Sequence, residues 1–96
     1  MKQIERIKQM EERFERTSKA IKKLSSALDN YAKVQEDLAS LGKYYGSKTW
    51  KKDFNDDEAG RLPADLKRGV LSEDGIWNLL EDNKELKEAL QKIVQN

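Results

Sequence analysis

Between Met1 and Leu41 the chain contains neither glycine nor proline, and throughout that stretch apolar residues return every three or four positions. Ile7, Met10, Phe14, Thr17, Ile21, Leu24, Leu28, Tyr31, Gln35 and Leu38 occupy the alternating series, and Ile4 and Leu41 extend it at the ends. A stripe with this period lies along one face of an α-helix. With no residue to break it, the economical solution is one helix over residues 2–42, on the order of 60 Å long at ~1.5 Å per residue. Its weakest stretch is SSALDN, residues 25–30, where Ser25, Ser26, Asp29 and Asn30 have modest helix propensity. A bend in the long helix is expected there.

The C-terminal stretch reads as a second long helix. Ser72 is placed to cap it, its hydroxyl accepting from a free backbone N–H of the first turn. Leu71 before the cap and Ile76 inside the helix form a hydrophobic staple, and Glu73 and Asp74 suit the positive end of the helix dipole. Ile76, Leu79, Leu80, Leu86, Leu90, Ile93 and Val94 define one face, reaching to about residue 94, with Asn83 on the same seam. A polar residue there either fixes register, as in coiled coils, or sits solvated at the seam's edge.

Residues 42–77 change character, for they hold all five glycines, the only proline and both tryptophans. Gly46 is expected to end a helical turn in the left-handed conformation, and Ser47 to start the next helix. Trp50 and Phe54 share a face of that short helix, residues 48–58, which Gly60 stops. Leu62 is extended by the proline that follows it. Pro63 suits the first position of a further turn, ADLKR, which Gly69 would close. The stretch RLPADLKRGVLSED is a corner that turns the last helix back along the first.

These elements predict an all-α fold, a long N-terminal helix packed antiparallel against a C-terminal helix, with one or two short helices in the connection. That is a helical hairpin or three-helix bundle, and residues 1–96 form a single domain: 2–42, then 43–71, then 72–95. Charge supports the pairing, since residues 1–28 carry eight basic and four acidic side chains and residues 72–96 three basic and six acidic. Exposed pairs contribute only about 0–1 kcal/mol each, so apolar burial must do most of the work. A length mismatch follows. A C-terminal helix of roughly 33 Å covers little more than half of the first. Unless the middle helix covers the remainder, Ile4, Ile7, Met10 and Phe14 are left bare and require a partner, a second copy being the simplest.

Composition excludes several functions. Without cysteine there are no disulfides, thiolate chemistry or cysteine–zinc sites. The absence of histidine removes the commonest general base and transition-metal ligand. No apolar run approaches the roughly 20 residues that span a bilayer, and the N-terminus lacks the apolar core of a signal peptide, so a cytoplasmic protein without membrane attachment is expected. A net charge of +1 gives no bias towards nucleic acid or acidic membranes.

Three constellations remain. Asp53, Asp56, Asp57 and Glu58 form the densest acidic patch, and hard carboxylates can hold Ca²⁺ or Mg²⁺. A calcium loop starting at Asp53 nevertheless fails at Glu58, where glycine is needed, and at Ala64, where a bidentate glutamate is needed; a solvated acidic face is the plainer reading. Lys43, Lys48, Lys51 and Lys52 alternate with Tyr44, Tyr45 and Trp50, a pattern that can bind phosphates and stack bases. The patch adjoins four carboxylates that weaken its field, and core aromatics with snorkelling lysines are the plainer reading. At the corner, Asp65 and Arg68 are spaced to pair within one turn, and Arg61 and Arg68 to clamp an anion. Tyr44, Tyr45, Trp50, Arg61, Asp65, Lys67, Arg68 and Trp77 together are the candidate partner-binding surface. No residue is singled out as catalytic, and no metal or cofactor is expected.

LGKYYGSKTWKKDF followed by EAGRLPADLKRGVLSEDGIWNLL resembles the bacterial family catalogued as domain of unknown function 4298. The likeness covers nearly the whole chain and is sharpest from Tyr44 to Leu80. It implies a small intracellular helical protein, with no catalytic residues to carry across. The functional expectation is a non-enzymatic protein–protein interaction module. One alternative is a secreted or chaperone-type hairpin similar to the WXG proteins, against which stand the order Gly46 before Trp50 and the missing tyrosine–acid motif. The other is a nucleic-acid-associated adaptor.

Overall fold

The computed structural model describes residues 1–95. Its elements are α1 (Lys2–Lys33), α2 (Gln35–Tyr45), α3 (Lys48–Glu58), a 3₁₀ turn (Gly69–Leu71) and α4 (Gly75–Gln95), with no strand among the described residues. The fold class is all-α with a long N-terminal helix. The chain divides into two compact units, Met1–Gln35 and the remainder from Glu36.

α1 runs unbroken through Ser25–Asn30, so the expected weak point holds. The helix breaks at Val34 instead, whose φ of −97° and ψ of 7° close α1. Two donors compete there for one acceptor. The Val34 N–H donates to the Tyr31 carbonyl at 3.3 Å, and the Gln35 side-chain amide donates to the same oxygen at 2.9 Å. A side chain that occupies a helical carbonyl offers the backbone an alternative to the helical ladder. Gln35, read from the sequence as a seam residue, thus sits at the interruption.

The second unit is built by local capping and one small core. The Ser47 hydroxyl accepts from the Trp50 N–H at 3.1 Å and donates to the Tyr44 carbonyl at 2.6 Å, so one residue ends α2 and starts α3. Gly46 precedes it without a positive φ; Gly60, at φ 73°, is the only described residue in the left-handed region. At the end of α3 the Gly60 N–H donates to the Asp57 carbonyl at 3.0 Å and the Arg61 N–H to the Asp56 carbonyl at 2.9 Å. This is a Schellman closure, which needs a left-handed residue where Gly60 stands.

The corner departs from expectation in detail. ADLKR forms a turn, closed by the Leu66 N–H on the Pro63 carbonyl at 3.2 Å, and no helix. Gly69 opens the 3₁₀ turn where it was expected to close ADLKR. Ser72 caps as expected, accepting from the Gly75 N–H at 3.0 Å and donating to the Gly69 carbonyl at 2.9 Å. Backbone and hydroxyl crowd together so closely that a Cβ on Gly75 would lie 2.4 Å from the Gly69 oxygen. Only glycine fits there.

Leu71 and Ile76, the anticipated staple pair, are the two buried apolar residues of the described chain, at 6% and 2% exposure. α4 meets α2 at two heights. The Tyr45 hydroxyl donates to the Glu73 carbonyl just before α4 at 3.0 Å, and a Cβ on Gly42 would touch the Leu80 side chain at 3.8 Å. Residue numbers rise along α2 as they fall from Leu80 to Glu73, the order expected of an antiparallel approach. That much of the expected pairing with the C-terminal helix lies inside the second unit.

Candidate functional site

Two aromatic residues of the candidate surface, Tyr45 and Trp50, form a ladder with Phe54. Ser47 sets the start of α3, so Trp50 and Phe54, one helical turn apart, stack with ring centroids 5.1 Å apart. Tyr45, on the last turn of α2, meets Trp50 edge-on at 5.0 Å, a favoured aromatic geometry. The indole N–H of Trp50 donates to the Val70 carbonyl at 2.8 Å. Tyr45 and Trp50 therefore tie the corner to α2 and α3 through both their rings and their polar ends.

The acidic patch is shared out among cations and a phenol. Tyr44 donates to the Asp53 carboxylate at 2.6 Å. That bond to the acid, followed by burial and the Asp53 charge, pushes the phenol up to about 12. Asp56 accepts from Lys52 and from Arg61, each at 2.9 Å, and these two hydrogen bonds hold its carboxyl below the usual carboxylate range. The bond to Asp56 raises Lys52 in turn. Asp57 accepts from Arg68, whose guanidinium also donates to the Pro63 and Leu66 carbonyls. Among the described residues no group of three or more acidic side chains converges as a metal site would.

Arg68 was expected to pair with Asp65; it reaches across to α3 instead. The reason is geometric. ADLKR does not become helical, so the spacing that would have aligned Asp65 with Arg68 is absent, and the guanidinium folds over its own turn to collect two carbonyls and Asp57. Arg61 and Arg68 hold Asp56 and Asp57 respectively, and this opposes their use as an anion clamp.

The family profile described as a domain of unknown function, DUF4298, matches residues 7–93. The chain belongs to that family. No curated protein and no solved structure matches it. In this DUF4298 chain, the residues from Tyr44 to Leu80 that carried the likeness include the aromatic ladder, the Schellman closure, the Arg68 latch and the Ser72 cap. A stretch so dense in mutually dependent contacts has strict residue requirements for structural reasons alone.

Of the eight candidate surface residues, Tyr44, Tyr45, Trp50, Arg61 and Arg68 are thus joined in the internal network, while Asp65, Lys67 and Trp77 lie exposed, Trp77 at 51%. The α1 stripe is the larger apolar exposure. No residue of α1 is buried, and besides Ile4, Ile7, Met10 and Phe14 the stripe stays exposed through Ile21, Leu24 and Leu28, with Phe14 at 70% and Ile21 at 63%. Sequence reasoning had left Ile4, Ile7, Met10 and Phe14 bare unless the middle helix covered them, and had not extended the exposure to Ile21, Leu24 and Leu28. An open groove of about 320 Å³ lies between Phe14 and Ile21, lined also by Thr17, Ser18 and Lys22.

Proposed function

We propose that this protein is a non-enzymatic protein–protein interaction module in which α1 is the binding arm and the second unit its folded anchor. One observation carries the reading: a 32-residue helix buries none of its residues, yet aligns its large apolar side chains on a single face. Contiguous exposed apolar surface of this kind marks an association site in a soluble protein. The corner supplies a second, smaller surface, with Trp77, Asp65 and Lys67 at its exposed edge and Tyr44, Tyr45, Trp50, Arg61 and Arg68 holding it rigid.

Lack of histidine and cysteine supports a non-enzymatic role, and among the described residues no helix is long and apolar enough to cross a membrane; a cytoplasmic location is part of the proposal. The pairing of Lys52, Arg61 and Arg68 with the chain's own carboxylates weighs against a nucleic-acid adaptor, which would need those charges for phosphates. Affinity capture from the native host, with the full chain and an Ile21→Glu/Leu24→Glu variant as baits, tests the reading. Loss of the captured proteins, or of self-association, in the variant is expected while the tryptophan fluorescence of the second unit is unchanged. Identical behaviour of the two baits would refute it.

A further inference from the structure

We infer that the α1 stripe is covered by α1 of a second copy of this chain, running antiparallel, with the twofold axis beside residue 19. The inference rests on the interaction reading and names the partner.

The first ground is the shape of the helix face. The groove between Phe14 and Ile21 is walled by Phe14, Thr17, Ser18 and Ile21. Those four stand at the i, i+3, i+4, i+7 spacing that makes the hole of a knobs-into-holes contact. Antiparallel pairing that sets each first-position residue of one heptad seam against a fourth-position residue of the other places Met10 opposite Leu28, Phe14 opposite Leu24 and Thr17 opposite Ile21. Ile21 of the second copy then enters the hole, and the interface is isologous, so the same contact forms twice. Every large residue of these layers is exposed. A parallel pair would instead set Thr17 on Thr17 and Phe14 on Phe14, facing a polar layer with itself and stacking the two largest side chains.

The second ground is what flanks the seam. Around the proposed axis the flanking residues are Ser18 and Ala20, each meeting its own copy, so the backbones approach closely without a charged side chain intervening. Every charged residue of α1 except Arg6, Glu11 and Arg13 lies away from the seam and its flanks.

The third ground is charge. All four glutamates of α1 fall within residues 5–15, whereas residues 17–33 carry four lysines against Asp29 alone. Residues 2–16 balance those glutamates with five basic residues, so both halves are net positive. Antiparallel pairing sets the weakly positive half against the lysine-rich half, whereas parallel pairing sets lysine-rich against lysine-rich and is the more repulsive of the two. The parallel arrangement would gain an Arg6–Glu11 contact between copies, but an exposed pair of this kind is weak.

The chain has no cysteine, so engineered thiols report the arrangement without background. Light scattering after size exclusion at about 100 µM protein, far above the Kd of a stable dimer, is expected to give twice the 11.1 kDa chain mass; Ile21→Glu is expected to return it to one chain while far-ultraviolet circular dichroism stays helical. Under oxidation, an equimolar mixture of Met10→Cys and Leu28→Cys chains should form a mixed disulfide, and neither variant should crosslink with itself. Self-crosslinking of Met10→Cys chains would establish the parallel arrangement and overturn the proposal. A monomeric wild-type chain would overturn it too; if that monomer still captures a host protein through Ile21 and Leu24, the interaction reading stands and only the second copy is removed as partner.

Discussion

α1 and α4 present apolar faces of the same helical kind, yet they differ in how those faces are held. α1 has no buried residue, no side-chain cap at its start and a stripe open from Ile4 to Leu28. α4 begins with a serine cap, sets Ile76 beneath a 3₁₀ turn at 2% exposure, and faces α2 through Tyr45 and Gly42. Amphipathicity makes a helix adhesive without choosing what it adheres to. In the second unit the choice comes from directional bonds, where Trp50, Arg68 and Ser72 each fix a backbone carbonyl and leave the staple one place to close.

The strongest way to break this contrast is to delete apolar atoms from each side. Ile76→Ala removes side-chain volume from the most buried position and should cost about 2–5 kcal/mol. Ile21→Ala should leave the same unfolding transition within about 0.5 kcal/mol. Urea denaturation followed by tryptophan emission makes the comparison, since both tryptophans lie in the second unit. Equal losses would mean that the stripe belongs to the same cooperative core.

Glycine substitutions sharpen it further. A Cβ on Gly75 would stand 2.4 Å from a backbone oxygen and 2.5 Å from the Ser72 hydroxyl, so Gly75→Ala should cost about 1–3 kcal/mol by forcing the capped turn apart. At Gly42 the nearest atom would be the Leu80 methyl at 3.8 Å, an ordinary contact. Gly42→Ala should therefore be neutral or stabilising by up to about 1 kcal/mol through helix propensity. Thermal melts of the two variants in parallel decide whether close backbone approach at the corner, rather than glycine content, shapes the unit.

The smallest effect concerns the phenol at the α2–α3 joint. Tyr44 is raised from 10.0 to about 12, so its bond to Asp53 contributes fully below pH 10 and is lost as pH climbs through 12. Tyr44→Phe should cost about 1 kcal/mol near neutrality and remove a late step, near pH 12, from the tyrosinate absorbance titration. A titration unchanged by the substitution would show that the joint does not hold this bond in solution.

Much of this molecule was legible residue by residue because its signals are short in range. Ser47 and Ser72 cap through bonds three residues long, Gly60 answers a local need for positive φ, and Leu71 with Ile76 is a staple within one helix start. α3 accordingly occupies residues 48–58 as its punctuation dictated. The misreadings arose where a residue had two admissible partners. Arg68 had Asp65 nearby in sequence and took Asp57 from another helix. The break at Val34 depended on the Gln35 side chain winning a carbonyl, which propensities at residues 25–30 do not register. Of the eight residues that the sequence grouped as a candidate surface, it did not reveal that Tyr44, Tyr45, Trp50, Arg61 and Arg68 bond to other groups of the second unit.

What the amino-acid order determined by itself was therefore the helices, their caps and the faces they offer, since these follow from backbone sterics and contacts within about one turn. Only the tertiary structure decided that Arg68 holds Asp57, and that the α1 stripe is left open while Leu71 and Ile76 are covered. Those outcomes depend on distances between groups far apart in the chain, and such distances exist only once it has folded.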